Sequence, residues 1–156
     1  MTLSLFLIAG EPSGDRLGAA LMAGLKTLNP DVIFHGIGGP LMQAEGLESL
    51  FPMEELSVMG LAEVLPKLRH LFARKRQAAE AVVALNPDAL VTIDSPDFCL
   101  RVAGQVRETA PHIRTMHYVA PWSGHGARAA RPRWRVPSTT SWHCCPSSRP
   151  TWRPRA

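Results

Sequence analysis

Between residues 3 and 119 two kinds of apolar pattern take turns, and that alternation is what most constrains the fold. Leu3-Ser-Leu-Phe-Leu-Ile-Ala9 is apolar almost without interruption, as expected of a strand buried on both faces. It runs into Gly10-Glu-Pro-Ser-Gly-Asp15, whose residue types predict a turn-rich loop. Leu17, Ala20, Leu21 and Leu25 then recur at helical spacing, predicting a helix that ends near Leu28. Val32-Ile-Phe34 predicts a second strand, feeding a glycine-rich loop, Gly36-Ile-Gly-Gly-Pro40. A short helix over about 40–45 and a small apolar segment from Leu47 to Met53 follow. Leu61, Val64, Leu65, Leu68, Leu71 and Phe72 predict an amphipathic helix continuing to Leu85, with a kink or a start near Pro66. Asp88 to Ile93 reads as a third strand, Phe98 to Thr109 as a helix and Ile113 to Val119 as a fourth strand. Strands that alternate with helices build a parallel sheet, so the expected class is α/β and Rossmann-like.

The pattern stops after Pro121. Residues 122–156 hold seven Arg and no acid, all four Trp and five of the 14 Pro, with one Val and no Leu, Ile, Met or Phe. Such a stretch has no apolar face to pack, and the expectation is a disordered basic tail. Residues 1–121 carry 10 Lys and Arg against 13 Asp and Glu. The basic character of the chain therefore belongs to the tail, and nucleic acid is not an expected partner. Cys99 is isolated and Cys144 and Cys145 are adjacent, which suits neither a disulfide framework nor a zinc site. The apolar run at the N-terminus lacks a basic leader and is too short to span a bilayer, so a cytoplasmic location is expected.

Five segments occur in order: Ala9-Gly-Glu-Pro-Ser-Gly-Asp15, Gly36-Ile-Gly-Gly-Pro-Leu-Met42, Met53-Glu-Glu-Leu-Ser-Val-Met-Gly60, Ile93-Asp-Ser-Pro-Asp-Phe98 and His117-Tyr-Val-Ala-Pro121. Each alone is a weak signal. As an ordered set over residues 1–121 they resemble the lipid-A-disaccharide synthases. The resemblance implies a B-type glycosyltransferase fold, in which two Rossmann-like domains face each other across a cleft. Residues 1–121 would be an incomplete acceptor-side domain, and the second domain, with most of the nucleotide-sugar site, would be absent. It further implies the reaction of UDP-2,3-diacylglucosamine with 2,3-diacylglucosamine 1-phosphate, giving the β-1,6-linked disaccharide 1-phosphate and UDP. The family pattern continues after His-Tyr-Val-Ala-Pro with a Ser-Val-Trp-Ala-Trp-Arg-like run, and this chain departs from it. Codons for Trp122 to Arg128, started at the third base of the first, can be read as Val-Trp-Ala-Trp-Arg-Pro. Those for Trp142 to Trp152 in the same shifted frame can be read as Ala-Leu-Leu-Pro-Phe-Glu-Pro-Pro-Tyr-Met. Loss of one base just after the codon for Pro121 would produce both, so residues 122–156 are expected to be a non-native tail.

Inversion at the anomeric carbon implies one in-line displacement, which needs a base at the acceptor hydroxyl. Asp97 is the candidate catalytic base: it follows the end of a strand, where open α/β sheets place ligands, and the family motif has an Asp here. Asp97 also suits an N-cap of the next helix, and Asp94 is the alternative acid with a structural reading. Gly10, Glu11, Ser13, Gly14 and Asp15, at the first strand-to-helix junction, are candidate substrate contacts, because small residues at a helix N-terminus expose backbone N–H groups. Ser13 or Asp15 reads equally as a helix cap. Gly38 and Gly39 divide between substrate approach and a plain turn, and His117 between a site residue and a core histidine. Leu61, Val64, Leu65, Leu68, Leu71 and Phe72 lie beside Lys67, Arg69, His70, Arg74, Lys75 and Arg76. A basic amphipathic helix of this kind suits an acyl chain or the surface of the inner membrane, or else packs on a core with a solvated basic edge. No metal and no cofactor is expected. The competing readings are an inactive fragment of the enzyme and a non-catalytic Rossmann-like module that binds nucleotide or lipid.

Overall fold

The computed structural model describes residues 2–56, 61–118 and 141–142, with 61–68 and 141–142 described by backbone alone. In chain order the elements are β1 (Ser4–Ala9), α1 (Pro12–Leu28), β2 (Ile33–Ile37), α2 (Pro40–Ala44), β3 (Glu48–Ser49), a 3-10 turn (Met53–Glu55), α3 (Leu61–Leu85), β4 (Ala89–Ile93), α4 (Pro96–Thr109), β5 (Arg114–Tyr118) and β6 (Ser141–Trp142). All strand pairs are parallel, in the order β3-β2-β1-β4-β5-β6. The α/β, Rossmann-like expectation holds.

β1 and β4 are central, and their sequences show it. Phe6, Ile8 and Leu90 pack on one face with Val82 of α3 and Val102 and Val106 of α4. Leu5, Leu7, Ala9, Ala89, Val91 and Ile93 pack on the other with Met22 of α1 and Met42 of α2. Neighbouring residues on a strand point to opposite faces, so both faces being covered demands a continuous apolar run. Leu7 and Ile8 are fully buried, each contributing about 1.5–3 kcal/mol of hydrophobic stabilisation.

Three boundaries differ from the sequence reading, each for a local reason. α1 begins at Pro12, so Ser13, Gly14 and Asp15 lie in its first turn and not in a loop. Pro at the first helical position loses no hydrogen bond, and Gly14 is needed there because a Cβ would stand 3.1 Å from the Ile93 carbonyl oxygen. β2 runs on through Gly36 and Ile37. Gly36 has φ of 146°, and a Cβ on it would meet the Leu7 carbonyl oxygen at 1.8 Å, so only glycine fits this strand position. α4 starts at Pro96, two residues before the expected Phe98, because Pro suits the first helical position, whereas α3 spans Leu61–Leu85 as expected, with Pro66 inside its second turn. In the stretch expected to be a structureless tail, Ser141 and Trp142 pair with His117 and Tyr118 as β6. The rest of 122–156, with Val119 to Pro121 and Ser57 to Gly60, lies outside the described residues.

Candidate active site

Ala9 and Ile93 are register partners, so the chain leaves β1 and β4 side by side. From β1 it turns through α1 toward β2, and from β4 through α4 toward β5. Two adjacent strands whose connections diverge in this way leave a crevice at their C-terminal ends, the place where open α/β sheets bind ligands. Gly10 and Glu11 form one lip, and Asp94 to Asp97 the other. The lips touch: a Cβ on Gly10 would lie 2.7 Å from Ser95 Oγ.

The β4 lip carries unusual backbone. Asp94 and Ser95 are both left-handed, with φ of 55° and 43°. For residues other than glycine each such conformation costs about 1–3 kcal/mol and persists only where surroundings enforce it. Here Ser13 Oγ donates to Asp94 Oδ2, the Ser95 N–H donates to Asp94 Oδ1 at 3.0 Å, and the Asp94 N–H donates to the Tyr118 carbonyl at 3.2 Å. Asp94 is thus occupied in holding the lip. Ser95 is the N-cap of α4, and its side chain makes no capping bond. Pro96 follows at the first position and Asp97 at the second, on an exposed site in the first turn. Asp97 is therefore not the cap, and its carboxylate has no hydrogen bond or ion pair among the described residues. Glu11 stands across the crevice as the exposed N-cap of α1, likewise without a side-chain capping bond.

Asp15 is engaged inside the protein. It is 3 % exposed. Its Oδ1 accepts from the Gly39 and Met42 N–H groups, each at 3.0 Å, and its Oδ2 from the Leu41 N–H at 3.1 Å. A carboxylate from α1 thereby caps the N-terminus of α2 and complements its dipole. The same contact explains Gly39, where a Cβ would fall 2.5 Å from Asp15 Oδ2. At Gly38 a Cβ would fall 2.7 Å from Leu47. Internal packing accounts for both glycines as they stand. His117 is on the α4-side face of β5, with Nδ1 2.9 Å from Thr92 Oγ1. The structure thus brings Gly10, Glu11, Ser13, Gly14, Asp94 and Asp97 to one crevice and sets Asp15, Gly38, Gly39 and His117 behind or beside it.

Along α3, Leu71 is partly buried against the core, while Phe72 is 53 % exposed with Lys75 Nζ 5.5 Å from its ring centre. The side chains of Leu61, Val64, Leu65 and Leu68 lie outside the described residues. Among the described residues no helix is long and apolar enough to cross a membrane, and no group of three or more His, Cys, Asp or Glu is placed to hold a metal ion.

Chemically, the lips offer carboxylates and hydroxyls. Among the described residues no Lys or Arg pairs with Glu11, Asp94 or Asp97. The rim suits sugar hydroxyl groups, which donate to carboxylates, better than a diphosphate. Cys99, beneath the lip, takes no part: burial pushes its thiol up to about 12, the nearby Asp94 and Glu11 charges add to this, and a backbone hydrogen bond from Ile93 opposes it. A thiol so placed stays protonated at pH 8. With Cys144 and Cys145 changed to Ser, the native protein is expected to leave Cys99 unreacted with Ellman's reagent, and one thiol per chain to appear on denaturation. Rapid native labelling contradicts this. Because the folded value lies above the reference 9.0, the stability held by the neutral thiol is present below about pH 9 and declines as pH rises toward 12.

A family model for lipid-A-disaccharide synthetase matches residues 5–130, which reaches past Pro121. The chain is 60 % identical to the lipid-A-disaccharide synthase of Ruegeria pomeroyi over 129 residues, 81 % of this chain and 32 % of that protein. It is 49 % identical to the Pseudomonas fluorescens Pf-5 protein of the same name over 134 residues, 85 % of this chain and 35 % of that one. With the Rhodospirillum centenum protein of that name the identity is 50 % over 132 residues, 83 % and 33 % of the two chains. The matched segment is thus about a third of the length of these relatives.

Proposed function

The chain belongs to the lipid-A-disaccharide synthetase family, and from that premise we propose that residues 1–121 supply the acceptor side of a glycosyltransferase of lipid A biosynthesis. The acceptor is 2,3-diacylglucosamine 1-phosphate and the donor UDP-2,3-diacylglucosamine. Asp97 takes the proton from the acceptor's 6-hydroxyl. That oxygen attacks the anomeric carbon of the donor, the bond to UDP breaks, and the configuration inverts to give the β-1,6 linkage. The observation that carries this reading is the placement of Asp97: exposed, unpartnered among the described residues, and fixed beside the β1–β4 crevice by a strained Asp94-Ser95 turn. A general base has to be within reach of its proton and free to accept it, and Asp97 is free where Asp94 and Asp15 are engaged. Glu11 and Ser13 hold the sugar's other hydroxyls. No catalytic metal or cofactor is invoked.

The donor's diphosphate needs cationic or helix N-terminal partners on the facing domain, which the relatives' remaining two thirds would provide. The acyl chains of both sugars put the enzyme on the cytoplasmic side of the inner membrane, with Phe72 and Lys75 of α3 toward the lipid surface. A chimera tests the reading: residues 1–121 replace the matching segment of the Ruegeria pomeroyi relative, and both sugar substrates are supplied. Formation of disaccharide 1-phosphate and UDP is expected. A folded chimera that makes neither product overturns it.

A further inference from the structure

Of the five sequence motifs, Met53 to Gly60 has no part in the proposed chemistry, yet two of its residues, Leu56 and Met53, sit against the loops that follow β1 and β2. Leu56 is 8 % exposed, and its Cβ lies 3.8 Å from where a Cβ on Gly10 would stand. Met53 is 4 % exposed, with its methyl carbon 2.9 Å from the corresponding position at Gly39. The turn therefore walls both loops at the C-terminal ends of β1 and β2.

This turn has few bonds of its own. The Leu56 N–H donates to the Met53 carbonyl at 2.9 Å and the Glu55 N–H to the Pro52 carbonyl at 3.1 Å. Met53 and Leu56 anchor it in the two cores, and its side-chain polar hold among the described residues is through Glu55. Oε2 accepts from Arg74 Nε at 2.6 Å and Oε1 from Arg74 Nη2 at 3.0 Å, while His70 Nε2 lies 2.6 Å from Oε2. Arg74 is itself fixed, by Gln77 Oε1 at 2.7 Å and by stacking 4.8 Å over the Phe51 ring. Two-point pairing of a planar guanidinium with a carboxylate sets orientation as well as distance. The Arg74 guanidinium, and after it His70, holds the Glu55 carboxyl below its ordinary range.

We propose that Glu55 is a positioning residue of the acceptor site, whose grip by Arg74 and His70 locks the Met53–Leu56 turn to α3 and so sets Leu56 as the crevice wall against which the acceptor sugar seats. This rests on the acceptor-side reading above. A wall that binds the acceptor in ground state and transition state alike changes KM and leaves kcat in place.

In the chimera, Glu55→Ala is expected to raise KM for 2,3-diacylglucosamine 1-phosphate about tenfold, with kcat and KM for the UDP-sugar kept within about twofold. Arg74→Ala, which leaves the His70 contact in place, should raise it less, and the double variant should match Glu55→Ala, which already removes both contacts. A role in folding alone would lower kcat in step with Tm and leave KM unmoved; that result overturns the proposal, as do unchanged kinetics or additive effects. Equilibrium binding of the acceptor lipid in detergent micelles gives the same ratio without turnover, so an inactive chimera still decides the matter. Should Asp97→Asn keep its turnover while Glu55→Ala weakens acceptor binding, the base is misassigned and the wall stands.

Discussion

Asp97→Asn in the chimera is expected to lower kcat by about 10²–10⁴-fold, the usual contribution of a positioned general base. Asparagine has nearly the same shape and cannot take the proton. Asp97 makes no hydrogen bond or ion pair among the described residues, and the cap position belongs to Ser95, so little else is removed. The lost charge in the first turn of α4 costs about 0.3–1 kcal/mol of stability, too little to empty the folded state. KM for both substrates should stay within a few-fold, because the missing interaction develops only as the proton moves. Asp94→Asn is the control with a different signature. It disturbs the Ser13 and Ser95 hydrogen bonds that hold two left-handed residues, so stability and activity should fall together. Turnover in Asp97→Asn within a few-fold of the parent contradicts the assignment.

The second large effect is on the fold. Asp15→Ala leaves the N–H groups of Gly39, Leu41 and Met42 without their acceptor. A buried donor stranded in this way costs about 1–3 kcal/mol, and α2 also loses its cap. The three losses overlap once the helix end shifts toward water, so the expected destabilisation is about 3–5 kcal/mol. Asp15→Asn can keep its oxygen on Gly39 and Met42 but turns an NH2 toward the Leu41 N–H, so about 1–2 kcal/mol is expected. Denaturant unfolding of the chain measures both. A change below about 1 kcal/mol for Asp15→Ala would show that the α1–α2 junction does not depend on this carboxylate.

The contrast between Asp97 and Asp15 shows what could be read from sequence. Leu3 to Ala9 and Asp88 to Ile93 read as buried strands because burial on two faces leaves few polar positions, Thr92 being one. The rim position of Asp97 could be anticipated because its setting is local: a strand end, a Pro and an acid within five residues. The partners of Asp15 lie 24 to 27 residues away, and no local pattern reports a cap supplied to another helix. Pro12 to Asp15 looked like a loop since Pro, Ser, Gly and Asp are turn formers; only the approach of Ile93 to Gly14 shows why glycine is tolerated inside α1. The two-residue strands β3 and β6 are too short to carry a period. The pairing of Glu55 with Arg74 spans 19 residues and two elements, which again leaves no trace in spacing.

A crystal structure of the chimera with the acceptor lipid bound tests the assignment of Asp97 most directly. A carboxylate oxygen of Asp97 should lie within about 2.6–3.2 Å of the sugar's 6-hydroxyl, or one water away. An acceptor seated in the crevice with that hydroxyl turned away from α4 and beyond the reach of Asp97 would contradict it.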